Sequence, residues 1–161
     1  MSVKLRFVLF VVLVFGVLML TGCGAFGDNT IDPVQSSEIT TTMRYLDGST
    51  EGPAYDVSLM VPDAWVGQFV TQNLGNAVQF KYPVANPKLI FSIEALSATQ
   101  YWQSSGSYPA GHTNIINLGD TYFVYHMPVD AYYSDLSPEE FQAFAALVPD
   151  IVASFTAVAV K

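Results

Sequence analysis

The sequence is poor in cysteine and in basic residues, and each shortage excludes a class of protein. One cysteine occurs in 161 residues, so no disulfide can form within the chain and a disulfide-stapled fold is excluded. Six Lys and Arg stand against 14 Asp and Glu, which gives a formal net charge of −8. Nucleic acids and anionic lipid headgroups are bound through Lys and Arg. We therefore expect no nucleic-acid partner and no electrostatic attraction to a membrane.

Residues that carry common chemistries are also scarce. The two imidazoles, His112 and His126, are 14 positions apart, with no HExxH spacing and no flanking cysteine. The sequence contains no G-x-S-x-G elbow, no glycine-rich phosphate loop and no calcium-binding loop. It therefore predicts no metal, no cofactor and no catalytic residue. His126 is expected to be a partly buried residue of a strand, and His112 a surface residue in a glycine-rich loop.

Long apolar runs are absent apart from one, over residues 7–20. Its 14 residues are short for a membrane span, which needs about 20. Lys4 and Arg6 precede the run, and small residues follow it. This order of basic, apolar and small residues is typical of a cleavable export signal.

The end of this signal resembles the lipobox of bacterial lipoproteins, which Leu20, Thr21, Gly22 and Cys23 match at every position. The resemblance implies that residues 1–22 are removed and that Cys23 carries a diacylglyceryl group, with a further acyl chain such as palmitate on its amine. The protein would then sit on the outer face of the cytoplasmic membrane. In a Gram-negative host it would go to the outer membrane, because residue 24 is Gly. An Asp at that position would resemble an inner-membrane retention signal. The mature chain keeps four basic and 14 acidic residues, a net charge of −10.

Composition divides the rest of the chain into a tether and a domain. Residues 23–53 comprise Cys23, whose lipidation the resemblance implies, and a segment rich in Gly, Ser, Thr, Asp and Asn, whose composition predicts a flexible tether. Within it, residues 39–46 are β-prone and are equally compatible with an edge strand. Residues 54–161 are predicted to form a single α+β globular domain.

The domain shows strand patterns followed by helix patterns. Strands are predicted over residues 55–61, 66–73, 77–82, 89–96, 113–118 and 121–127, with hairpins at 74–76 and 119–120. A short helix is predicted over 97–104. A long C-terminal helix should begin at Ser137, which with Pro138 and Glu140 forms a capping-box pattern. Pro149 should kink this helix or split it near Ala145.

Short links between strands favour an antiparallel sheet of about six strands packed with helices in layers, an α+β fold. Several segments resemble the PsbP/Mog1-like domain, whose first strand ends in Pro-x-x-Trp, as Pro62 to Trp65 do here. The others are Val57–Val61, Val78–Tyr82, Leu89–Ile93 and Ile151–Phe155. The resemblance implies a layered sandwich used for binding or assembly.

Aromatic residues outside the regular core pattern are the candidate ligand-binding residues. They are Tyr101, Trp102, Tyr108, Tyr132 and Tyr133. Such side chains either line a groove for carbohydrate, peptidoglycan or protein, or cover the ends of a small core. The function predicted is a non-enzymatic binding or assembly module, anchored to the membrane by the lipid on Cys23 and directed to an envelope ligand or a protein. The alternatives are a secreted hydrolase with a cleft around His112, Asp120 and His126, and a purely structural envelope protein.

Overall fold

The computed structural model describes residues 31–83, 88–105, 111–128 and 136–161. These residues form two antiparallel sheets, a short hairpin, three α-helices and one turn of 3-10 helix at Asp63–Trp65. The strands are β1 Ile31–Pro33, β2 Glu38–Met43, β3 Leu46–Asp47, β4 Thr50–Glu51, β5 Tyr55–Met60, β6 Val70–Asn73, β7 Ala77–Tyr82, β8 Lys88–Ser97, β9 Thr113–Leu118, β10 Thr121–His126 and β11 Thr156–Ala159. The helices are α1 Ala98–Ser105, α2 Pro138–Ala145 and α3 Val148–Ala153.

The main sheet has six strands in the order β1-β6-β7-β8-β10-β9, with each neighbouring pair antiparallel. Its two hairpins turn where they were predicted, and Gly75 and Gly119 take φ values of 82° and 59° there. Glycine adopts this left-handed conformation without the steric cost that a side chain would add. The prediction of an α+β protein with an antiparallel sheet of about six strands is confirmed.

A second sheet, which was not predicted, has the order β11-β5-β2. Strand β2 pairs with β5 from Glu38↔Met60 to Met43↔Tyr55, and Met43 is only 1% exposed. Together with β1, β3 and β4, this pairing corrects the prediction of a flexible tether for residues 31–53. The backbone of β2 is hydrogen-bonded to β5, and its β-branched Ile and Thr residues favour a strand. Of the two possibilities for residues 39–46, the structure has the edge strand, as β2.

The C-terminal helical segment is split in two, as Pro149 indicated, so it is not one long helix. Helix α2 ends at Ala145, four residues before Pro149, because proline has no N–H to donate to the Ala145 carbonyl. At its start, Ser137 Oγ accepts from the Glu140 N–H at 3.2 Å, and Glu140 accepts from the Ser137 N–H at 3.0 Å. The predicted capping box is confirmed.

The core is one continuous apolar cluster to which both sheets and the C-terminal helices contribute. Tyr55 of β5 packs edge-on against Phe123 of β10, with ring centroids 5.4 Å apart. At the other end, Trp65 stacks on Phe69 at 4.1 Å, and Phe144 of α2 closes over both rings. The face of the main sheet opposite this core carries α1, which packs on β8 and β10.

Candidate functional site

Helix α1 is held in place by its first turn. Ser97, the last residue of β8, accepts a hydrogen bond from the Gln100 N–H at 3.1 Å, and the Gln100 side chain accepts from the Ser97 N–H at 2.9 Å. This reciprocal cap begins the helix directly at the strand end. The β3–β4 hairpin adds two further bonds, from Ser97 Oγ to Asp47 at 2.6 Å and from Gln100 Nε2 to the Leu46 carbonyl at 2.7 Å.

An open cleft of about 380 Å³ lies between α1 and the strands beneath it. We call it the histidine cleft, and it is lined by Glu94, Leu96, Gln100, Gln103, Ser104, His112 and His126. Six of these seven side chains carry a polar group. None of the described residues lining it is Lys or Arg.

His126 has a neighbouring group at each ring nitrogen: a hydrogen-bond partner at Nδ1 and a carboxylate at Nε2. Its Nδ1 lies 2.7 Å from the Gly111 carbonyl, which can only accept, so Nδ1 carries a proton. Its Nε2 lies 3.1 Å from a carboxylate oxygen of Glu94, an ion-pair distance. The contact with Glu94 is the main cause that raises the pKa of His126; burial opposes it, and the Gly111 carbonyl and the negative charge of Glu94 add to it. The geometry therefore favours an imidazolium paired with Glu94.

His112 lies beside His126 with the ring centroids 5.7 Å apart. Burial lowers the pKa of His112, the nearby His126 lowers it further, and Glu94 partly offsets both. His112 is a half-buried loop residue, and its ring also contacts Tyr101 of α1 at a centroid distance of 5.3 Å. The histidine cleft thus holds the His126–Glu94 pair next to a second imidazole, whose lowered pKa favours its neutral form.

Beside the cleft lies a group of three aromatic rings, Tyr101, Trp102 and Tyr122, which we call the aromatic platform. Tyr101 stacks on Tyr122 of β10 with centroids 4.3 Å apart and an angle of 15°. Trp102 meets both rings edge-on, at 5.2 and 6.4 Å, yet stays 65% exposed. The fold therefore brings the two candidate residues in α1 into contact with Tyr122 of the main sheet.

The other three candidate aromatics, Tyr108, Tyr132 and Tyr133, lie outside the described residues. The members of the site that sequence reasoning missed are Glu94, Leu96, Gln100, Gln103, Ser104 and Tyr122. Glu94 had a signal in the sequence, since it is the one charged residue in the segment 89–96. Tyr122 had none beyond its alternation with Val124 and His126, because the helix that covers it comes from a different part of the chain.

Asp120 does not belong to the cleft, which corrects the grouping with His112 and His126. Asp120 lies in the turn before β10, whereas His126 ends that strand. Six residues of extended chain span about 20 Å. The carboxylate beside the histidines comes from Glu94 of β8, the neighbour of β10 in the sheet.

The polar groups of the cleft are not arranged for serine activation. Ser105 Oγ donates to the Tyr101 carbonyl at 2.8 Å, and His112 Nε2 lies 3.4 Å from Ser105 Oγ. The Ser105 hydroxyl is thus hydrogen-bonded within its own helix, and its 3.4 Å contact with His112 is longer than the contact between a serine nucleophile and its base.

The described residues contain no group of three or more His, Cys, Asp or Glu residues that could hold a metal ion. No helix in this part of the chain is long and apolar enough to span a bilayer.

Comparison with known proteins gives no match: no family model fits the sequence, and no curated protein or solved structure is significantly similar to it. The function has to be inferred from the cleft and the platform themselves.

Proposed function

We propose that the protein is an extracytoplasmic lipoprotein whose domain binds an envelope ligand without transforming it, using the histidine cleft and the aromatic platform. The observation that carries this proposal is the exposure of Trp102 next to a preformed polar cleft. A side chain of this size loses favourable burial when it is left in water, and a partner would restore it.

The hydrogen bonds around the site support binding over catalysis. The two nitrogens of His126 are engaged by Gly111 and Glu94, and the Ser105 proton is directed to a helix carbonyl. The His126 ring and the Ser105 hydroxyl are thus held in fixed positions, as a recognition site requires.

The membrane attachment in this proposal is the lipid on Cys23, supported by the lipobox match and by a mature surface too acidic to attract anionic lipids. For the domain we propose the PsbP/Mog1-like arrangement of layers. An antiparallel main sheet with α1 on one face and the core with the second sheet on the other supports it.

Photocrosslinking in intact membranes tests the binding function. A benzoylphenylalanine at position 102 should give a discrete, mass-shifted adduct of the protein after irradiation. The matched control is position 158, where Val158 is 68% exposed on the second sheet, away from α1. Equal labelling from the two positions, or none from position 102, would remove the basis of the proposal.

A hydrolase is the second candidate, because His112, His126 and Glu94 do share one cleft. It predicts turnover of ester or glycoside substrates that is lost in His112→Gln while ligand binding persists. A binding module predicts no turnover in either protein.

A further inference from the structure

We propose that the ligand of this site is an uncharged saccharide, with one sugar ring stacked on Trp102 and hydroxyl groups of the same chain bonded in the histidine cleft. This inference rests on the proposed binding function and specifies the chemical class of the ligand.

The charge balance of the cleft is the first argument. No Lys or Arg lines it within the described residues, and its cation, His126, is already paired with Glu94 at 3.1 Å. An anionic ligand would find no unpaired positive charge to offset its desolvation, and a cationic ligand would have to displace His126 from Glu94. A ligand without formal charge meets neither cost.

The hydrogen-bonding capacity that remains in the cleft is the second argument. Glu94 uses one oxygen for Asn76 at 3.2 Å and the other for His126, which leaves further lone pairs to accept. Ser104 donates its proton to the Gln100 carbonyl at 2.8 Å and keeps acceptor capacity. The Gln103 amide, which also lines the cleft, can both donate and accept. Hydroxyl groups, which do both, suit this mixture.

The aromatic platform supplies the third argument. A pyranose ring presents a face of C–H groups with its hydroxyls at the rim, and such a face packs on an indole. Trp102 is fixed for this by edge contacts with Tyr101 and Tyr122. Tyr101 also touches His112, so the stacking surface continues into the cleft.

Tryptophan fluorescence gives a direct test, because the two tryptophans differ in exposure: Trp65 is 1% exposed and Trp102 is 65% exposed. Full-length protein in a zwitterionic detergent is titrated with chitohexaose, cellohexaose and maltohexaose, and with a hexamer of galacturonic acid as the charged comparison. At least one uncharged hexamer should shift the emission to shorter wavelength and protect it from acrylamide quenching, and the charged hexamer should not.

Two variants locate the binding. Trp102→Ala should lower the affinity about tenfold in calorimetry and abolish the fluorescence change. Gln103→Ala should lower the affinity about fivefold with an unchanged melting temperature, and Val158→Ala should behave like the wild type. These results together would support the saccharide assignment.

The contrary results are distinguishable. Binding of the charged hexamer as tightly as the uncharged ones, or retention of full affinity in Trp102→Ala, overturns the assignment. If no uncharged hexamer binds while position 102 still crosslinks to a protein in membranes, the saccharide class is refuted and the binding function stands. If crosslinking fails as well, both are refuted.

Discussion

Replacing Met43 by alanine should destabilise the domain strongly, because β2 is part of the core and not of a tether. Met43 is 1% exposed and belongs to the main apolar cluster. The substitution removes three heavy atoms, which at about 0.8 kcal/mol per buried methylene is roughly 2 kcal/mol of transfer free energy. The cavity left behind brings the loss to about 2–5 kcal/mol.

Met60 provides a matched control in the adjacent strand. It has the same side chain in the same sheet but is 49% exposed, so Met60→Ala should change the free energy of unfolding by no more than about 0.5 kcal/mol. Urea unfolding followed by circular dichroism measures both variants, and the melting temperature of Met43→Ala should fall by roughly 8–20 °C. Similar small losses in the two variants would refute the placement of residues 38–43 in the core.

Three further predictions follow from single groups. His126→Gln should lower the melting temperature more at about pH 6 than at about pH 9. The folded-state pKa of His126 is raised, so the stabilisation from its pairing with Glu94 is present below the unfolded pKa and is lost as the pH rises through the folded pKa. A loss of melting temperature that does not vary with pH contradicts this. Ser137→Ala removes the N-cap of α2 and should cost about 1 kcal/mol in denaturant unfolding, while Ser137→Asn should restore most of it. Cys23→Ser should move the protein from the membrane to the soluble fraction on centrifugation, and a variant that stays with the membrane refutes the lipid anchor.

Local patterns predicted most of the secondary structure well. The alternation in Tyr55–Met60, the glycines of two hairpins and the Ser97 cap each specify an element within a few residues, and the structure has all of them. Pro149 specified the break between α2 and α3 for the same reason, since its effect on the backbone is local.

The elements that sequence reasoning missed depend on partners far away in the chain. Residues 38–43 are polar on one face, so their composition is typical of a linker until β5 pairs with them. Strand β11 has only four residues and likewise exists by pairing with β5. The candidate site followed the same rule: Tyr101 and Trp102 stood out as aromatic residues, but Glu94 joined His126 only through the register of β8 and β10.

The position of β1 limits how far the domain can reach. Ile31 is already paired at the edge of the main sheet, and Val34 is 1% exposed in the core, so the chain belongs to the folded body from Ile31 onward. Seven residues separate Cys23 from Ile31. Seven extended residues cover at most about 25 Å, so the lipid anchor proposed on Cys23 would hold the domain next to the bilayer. A ligand of the proposed lipoprotein would therefore be bound close to the membrane surface.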